Sequence, residues 1–452
     1  MTSANLSTVN VAFPDLRRSF AGESFASLGW VINAYTIAFA AILLPAGRLA
    51  DSHGRRRMFF AGLSLFALGS LVTGAAPTLH LVIFGRTVQG IGAALIAPAS
   101  LGLLLEATPP EELTRAVALY GGISAVGVAT GPTVGALVVD SGSWRWSFLL
   151  SLPFAFAAWI TGRKHLSRER GSGEQRIDGL GVVLASLAMA SVSMGIAQGR
   201  EWGWTDRRTL IALVVGVLAG VWFVLRCQRH SDPVLPLELF KVRAFSLSTS
   251  ATVLFGVSTG AVLLANVLFL TEHWHYSIVR AGLAMAPSPV VATLAAPVVG
   301  RYGARLGERT IGVPGALILA LAVWWYRAHV GVEPHYWSDW FPGAVLSGLG
   351  INMAFPMLQS AGVRDVGPSR FSIANASTRA ALQLGSAIGI ALLVAILGEG
   401  TTTIAGFRNA WLMVSLFAVT TAALMIPLQP KARAAATQAA KSAKAAARLA
   451  PS

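Results

Sequence analysis

An all-α membrane protein with fourteen spanning helices is the fold class this sequence predicts, on three observations. Of its 452 residues, 54% are hydrophobic and 12% charged, with a mean hydropathy of +0.62. An ordinary soluble domain carries about 25% charged residues, so half that share among many long apolar runs reads as an integral membrane protein. Apolar stretches of spanning length recur along the whole chain, and lysines and arginines gather in every second connection between them.

The first element is short. The chain opens "MTSANLSTVNVAFPDLRRSF", and residues 4–13 read as the end of an apolar helix stopped by Pro14 and Asp15. A helix rises about 1.5 Å per residue, so this stretch reaches roughly 20 Å, against a hydrocarbon core of about 30 Å. The expectation is a first helix truncated at its N-terminus, because Met1 is not the natural start or because the gene is shortened. Thirteen full helices follow, at about 26–47, 57–76, 79–105, 113–139, 145–162, 178–198, 209–226, 244–270, 279–300, 311–329, 340–360, 373–397 and 407–428. Many hold internal Gly and Pro, which spanning helices tolerate better than soluble ones.

Charge sets the orientation. With a cytoplasmic N-terminus and every helix crossing, 25 of the 35 Lys and Arg fall in inner segments and nine in outer ones, leaving Arg86 inside a helix. Missing one helix would invert the bias of every later loop, so the asymmetry supports both count and orientation. Eleven of the 13 tryptophans fall near outer ends, as indoles favour the interface. The net charge of +15 then reflects basic cytoplasmic loops rather than nucleic-acid binding. One cysteine, Cys227, excludes an internal disulfide and any multi-cysteine metal site. The tail after Pro430, "KARAAATQAAKSAKAAARLAPS", is basic, Ala-rich and without an apolar face, and reads as disordered or as a fraying helix near anionic headgroups.

Two loops repeat. "GRLADSHGRRR" (47–57) and "GRYGARLGERT" (300–310) are both basic, with glycines seven apart: Gly47 and Gly54, then Gly300 and Gly307. Asp51 of the first becomes Ala304 in the second. Two parallel halves about an axis normal to the membrane are one transporter plan. If each half holds six helices, the two between 178 and 226 are extra and central, a 6+2+6 arrangement. The expected domains are 1–165, 166–240, 241–428 and a basic tail at 429–452.

Three stretches carry chemistry. In the first loop, Gly47 and Gly54 permit a tight turn and close helix approach. Asp51 can accept from a neighbouring helix N-terminus and pair with Arg55 or Arg56. In "FGRTVQGIGAA" (84–94), Arg86 is an intramembrane cation, which costs about 2.5–3.5 kcal/mol on insertion scales and marks a functional site by default. Gln89 lies three positions on, on the same face. In "GVATGPTVGA" (127–136), Gly127, Gly131 and Gly135 recur every four residues, with Pro132 beside them. That spacing makes a stripe where backbones meet, and Pro132 can bend the helix. Each has a plainer reading: a basic loop obeying topology, an Arg satisfied by backbone carbonyls, and a generic small-residue packing face.

These stretches, with "WRWSFLLSLP" (144–153) and "PVLPLELF" (233–240), occur in the order and on the elements where the sequence resembles the major facilitator superfamily, and within it the fourteen-helix drug:proton antiporter family. The resemblance covers essentially the whole chain. It implies the major facilitator fold, a latching role for the loop at 47–57, a part for Arg86 in proton transfer or its gating, and an exporter signature at 127–136. An Arg cannot itself shuttle a proton at ordinary pH, so Arg86 would tune a partner. In the family the first helix ends like "LDxTIVNVALP". Aligned on "VNVAFP", Asn10 and Pro14 match, whereas the family's acidic position falls on Asn5, which cannot titrate. Either coupling runs through Asp51, Glu106 or not at all, or the substrates are neutral or acidic, or Asn5 simply hydrogen-bonds a neighbouring helix.

The function expected is secondary active, proton-coupled export of hydrophobic or cationic small molecules, multidrug efflux among them, by alternating access. The partners are that substrate, protons and the bilayer, with no nucleic acid. The protein is expected as a monomer in the plasma (inner) membrane, both termini cytoplasmic. No cofactor or metal is expected. No Walker-type phosphate loop occurs in the sequence, and the acids and histidines lack the clustering an intramembrane enzyme needs. Alternatives are a truncated or non-transporting protein on the same fold, and an exporter of lipid or siderophore-like metabolites. Secondary candidates are Asn375, Arg379 and Gln383 on one helix face, Asn266 and Asn352 within spans, and "TEHWHY" (271–276).

Overall fold

In the computed structural model, residues 15–23, 25–109, 112–124, 127, 143–166, 178–397 and 403–428 are described. Among them the chain is helical throughout, without strands. The opening fragment with Asn5 and Asn10, the motif residues Gly131, Pro132 and Gly135, and the tail at 429–452 lie outside the described residues.

A short helix α1 (15–19) precedes α2 (Phe25–His53), α3 (Arg55–Ala75), α4 (Leu79–Glu106) and α5 (113–124). Next come α6 (Arg145–Leu149), α7 (Ser151–His165), α8 (Gly179–Trp202) and α9 (Arg207–Arg229). The rest are α10 (Arg243–Glu272), α11 (Ile278–Met285), α12 (Pro287–Leu306), α13 (Glu308–His329), α14 (Phe341–Arg364), α15 (Phe371–Leu397) and α16 (Ile404–Met425). Among the described residues, eleven stretches are long and apolar enough to cross a membrane.

Two stretches expected as single helices are broken. The run over 145–162 divides into α6 and α7, with Pro153 near the start of α7. The run over 279–300 divides at Ala286, where Pro287 and Pro289 open α12. Proline lacks the N–H that would continue the ladder but fits a helix's first turn, so each stretch restarts rather than continues.

Small residues bring the first helices together. A methyl group added at Gly62 or Gly92 would meet the facing backbone of α4 or α3 at 2.8 and 2.5 Å. The glycine positions thus let α3 and α4 touch backbone to backbone. Gly256, Gly260, Gly385 and Gly389 do the same between α10 and α15. The largest buried cluster lies in the second half, around Phe269, Trp274, Tyr326, Trp340, Phe407 and Trp411. Asp178 caps α8 through the Gly181 N–H at 2.8 Å and accepts from Arg226 of α9 at 2.7 Å, tying this pair at one end. Helix α8 also packs along α2, and Ala40, Met189 and Ala380 of α2, α8 and α15 form one small cluster. At the end away from the basic loops, the Asp15 carboxylate accepts from the Trp144 amide at 2.9 Å.

Candidate functional site

At the loop that joins α2 to α3, two segments distant in sequence meet: the end of α2 and the start of α15. Helices α2 and α3 are joined by the single residue Gly54, whose φ of 96° is open to glycine. That joint places Asp51 in the last turn of α2 and Arg55 at the start of α3, four residues apart and in contact. The Asp51 Oδ1 accepts from Arg55 Nη2 at 2.9 Å and Nε at 3.2 Å. The same carboxylate accepts the backbone N–H groups of Ser372 (3.2 Å) and Ile373 (2.8 Å). These belong to the first turn of α15, in the other half, where unpaired N–H groups and the helix dipole favour an anion. Arg55 also donates to Glu106 Oε2 at 2.7 Å and to Ser372 Oγ at 3.0 Å. Gly47 makes the approach possible, since a methyl there would meet Ala376 and the Ser372 carbonyl. Arg56 stands apart, donating to the Arg163 carbonyl at 3.2 Å. Arg48 faces Asp232 at 3.8 Å.

The second site is buried in the first half. Arg86 has no exposed surface. Its Nε donates to the Val31 carbonyl of α2 at 2.8 Å and its Nη1 to Gln89 Oε1 at 2.8 Å. Gln89 Nε2 donates to Ser70 Oγ of α3 at 2.7 Å, and Ser70 pairs with Ser151 of α7 at 2.9 Å. The guanidinium lies 4.3 Å from the Tyr35 ring, a desolvated cation–π contact. Among the described residues this network of four helices contains no carboxylate. Among the described residues, the positive charge meets a carbonyl, an amide oxygen and the rings of Tyr35 and Phe148.

The third feature is a cavity of about 280 Å³ in the second half. Its walls come from α10, α11, α12, α14 and α15, with Tyr326 of α13 and Trp340 ahead of α14. Phe255 and Phe355 stack across it, centroids 5.9 Å apart and 6° from parallel. Asn266, Thr259, Ser288 and Ser347 give neutral polar edges. The described lining contains no Asp, Glu, Lys or Arg.

Other expected residues take local roles. Asn266 accepts from Trp411 Nε1 at 3.2 Å. Asn352 and Asn375 are buried, and the Arg379 guanidinium lies 5.7 Å from the Tyr120 ring. His273 of "TEHWHY" stacks on Phe269 and meets Phe407 edge to face, each at 5.1 Å, and its desolvation holds its pKa below the usual imidazole value. No group of three potential metal ligands stands together among the described residues. Gly127 is helical.

Among the ion pairs that the sequence did not reveal, one lies in the second of the repeated loops. Glu308, the first residue of α13, accepts from Arg364, the last of α14, at 2.6 Å. The signal lay in the repeated loops, where Glu308 takes the position of Arg55. Comparing only glycines and the lost acid passed over it.

The sequence model of the Major Facilitator Superfamily matches residues 1–389 and 247–451. Puromycin resistance protein pur8 of Streptomyces alboniger is 35% identical over 391 residues, 85% of this chain and 77% of its own. Cephamycin export protein CmcT of Amycolatopsis lactamdurans is 32% identical over 402 residues, 88% of this chain and 82% of its own. Multidrug resistance protein Stp of Mycobacterium tuberculosis (strain CDC 1551 / Oshkosh) is 31% identical over 393 residues, 86% and 72%. Among solved structures, the human organic anion transporter MFSD10 (TETRAN) aligns with a TM-score of 0.68 at 13% identity, over 94% of this chain and 96% of that one. The proton:xylose symporter XylE aligns at 0.65 and 12%, over 94% and 93%. At such identities the likeness concerns the fold.

Proposed function

Because the chain belongs to the major facilitator superfamily, we propose that it exports hydrophobic small molecules from the cell in exchange for protons, by alternating access. The relatives named for resistance to or export of puromycin and cephamycin support this direction and class of cargo. In this reading, 1–165 and 241–428 are six-helix halves that rock about a cavity between them. The segment 166–240 adds two central helices, and 429–452 is a tail at the inner membrane face. The protein works as a monomer in the plasma membrane, with both termini and the basic loops cytoplasmic.

The observation that carries the reading is the acid-free, aromatic-walled cavity in the second half. A neutral ring system gains burial and stacking there without facing a fixed charge. A carboxylate would have to lie elsewhere to favour a cation. Asp51, Arg55 and Glu106, with Gly47 and Gly54, form the gate that holds the halves together at the cytoplasmic end. Arg56 serves topology and the contact with Arg163. Arg86 and Gln89 hold the first half's polar core and set the field felt by the proton site. Asn5 and Asn10 would contribute neutral hydrogen bonds to it, and Gly127, Gly131, Pro132 and Gly135 a close-packed, bendable helix. Glu106, ion-paired with Arg55, acts in the gate.

The test is efflux of neutral and cationic fluorescent dyes from proteoliposomes under an imposed proton gradient. Export that collapses with an uncoupler, favours neutral planar dyes, and weakens in KM on Phe355→Ala is expected. Efflux indifferent to the uncoupler overturns the coupling. Equal handling of all dyes by Phe355→Ala and the parent overturns the cavity assignment.

A further inference from the structure

The cavity in the second half has a polar edge whose hydrogen-bonding sense is fixed from behind. Asn266 of α10 lines it, and the Nε1 of Trp411 of α16 donates to the Asn266 side chain at 3.2 Å. An indole N–H only donates, so the amide oxygen is the atom that meets it. What Asn266 has left for a cargo is its Nδ2 group, with two N–H. Trp340 lines the same cavity and is wholly buried. Its Nε1 has no acceptor among the described residues, and a buried donor without a partner is destabilising.

The hydroxyls nearby are engaged with their own helices or with one another. Ser347 Oγ donates to the Ala344 carbonyl at 2.9 Å and stands 3.2 Å from Ser288 Oγ. Thr259 Oγ1 donates to the Phe255 carbonyl at 3.0 Å. The Tyr326 hydroxyl lies beside Ser347 and Asn266. The described edge therefore offers N–H groups that never accept, while its amide oxygen is taken and a carboxylate is absent from it. At about 280 Å³ the cavity falls just below the ~300–1,000 Å³ usual for ligand pockets, which suits one small fused ring system.

We propose that Asn266 and Trp340 determine specificity in this cavity, selecting a flat, neutral ring system with a carbonyl oxygen at its edge over one with an N–H or O–H there. Trp411 is a positioning residue that holds the Asn266 amide in its donating sense. The proposal rests on the reading of this cavity as the cargo site. A carbonyl oxygen has two lone pairs and no proton, so it accepts from either N–H group or from both. A donor-edged ring brings a hydrogen to meet hydrogens.

Three tricyclic probes of one shape test this: fluorenone with a bridging carbonyl, carbazole with a bridging N–H, and fluorene with a bridging CH₂. Dissociation constants are measured by calorimetry on the full chain in detergent. Comparing probe ratios between variants cancels each probe's own partition into micelles and loss of water. Fluorenone is expected to bind about tenfold tighter than carbazole or fluorene. Trp340→Phe keeps a ring and removes the N–H; Trp411→Phe frees the amide to turn. Each is expected to lower the fluorenone-to-fluorene ratio about threefold or more. A merely structural loss weakens all three probes together and leaves the ratio where it was. Ratios unmoved in both variants overturn the proposal. Equal binding of the three probes by the parent, weakened for all by Phe355→Ala, overturns it and leaves the cavity reading standing. Binding of no probe, or binding indifferent to Phe355→Ala, overturns both. A parent that binds with this preference yet moves no dye in any gradient supports the proposal and refutes export alone.

Discussion

Replacing Asp51 by Asn isolates the contact that crosses between the halves. The Asp51–Arg55 pair lies within the first half, so it contributes in both open and closed states. The two backbone N–H groups of α15, at 3.2 and 2.8 Å, are met only when the halves are closed at this end. A hydrogen bond to a charged group contributes about 1.5–3 kcal/mol, and a neutral one about 0.5–1.5. Asn keeps one oxygen, so it retains one neutral bond and loses the other, together with the favourable charge at the helix N-terminus. The Asp51 side chain is 4% exposed, so screening by solvent removes little of this. The net loss is about 2–4 kcal/mol, which at 1.4 kcal/mol per decade lowers the closed-to-open ratio by a factor of about 30 to 700. Spin labels at Arg57→Cys and Ser369→Cys, both exposed and on opposite halves of this end, read that ratio in a Cys227→Ser background. Ser372→Ala, which removes one side-chain partner of Arg55, gives a smaller shift in the same direction. A distance distribution altered less than threefold in Asp51→Asn, in protein that remains folded, refutes the assignment.

Gly47→Ala places a methyl against Ala376, and overpacking of this kind costs about 1–3 kcal/mol. Efflux falls, and Ala376→Gly in the same chain restores part of it. Arg86→Lys keeps the charge but loses the planar fork that reaches both Val31 and Gln89. A stability loss of about 1–3 kcal/mol, read as a lowered melting temperature in detergent, is expected, with dye efflux lost more steeply than stability. His273 has its pKa lowered by burial, so its neutral form is the one the fold favours. Its contribution is present above about pH 6.5 and is lost as pH falls through the lower folded value. Thermal stability therefore declines on acidification through that window, and His273→Gln flattens the decline.

Hydropathy, charge alternation and loop motifs read the helices well because each is a local property of the chain. The ends were less legible. Helix α2 runs to His53 rather than stopping near 47, because the loop motif itself is helical up to Gly54. The breaks before α7 and α12 fall at Pro153, Pro287 and Pro289, and hydropathy takes no account of a missing N–H. At the candidate site, the sequence names Asp51, Arg55 and Arg86 but not what they touch. The partner of Asp51 is the backbone of residues 372 and 373, more than three hundred positions away, and backbone amides leave no mark in residue type. The sequence offers Glu106 as a candidate for proton coupling but not its partner, because Arg55 is brought to it by the packing of α3 on α4. The cavity draws its lining from six helices, with single residues from four of them, and has no linear signature.

The cluster of Ala40, Met189 and Ala380 has a mechanical consequence. Two of its members are too small to interlock, and the third is an unbranched thioether that reshapes at little cost. A seam of this kind resists lipid tails without fixing the angle between the helices it joins. In the alternating-access reading proposed above, this seam lets α8 shift along α2 and α15 while Leu184, Ala185 and Phe223 keep the α8–α9 pair seated.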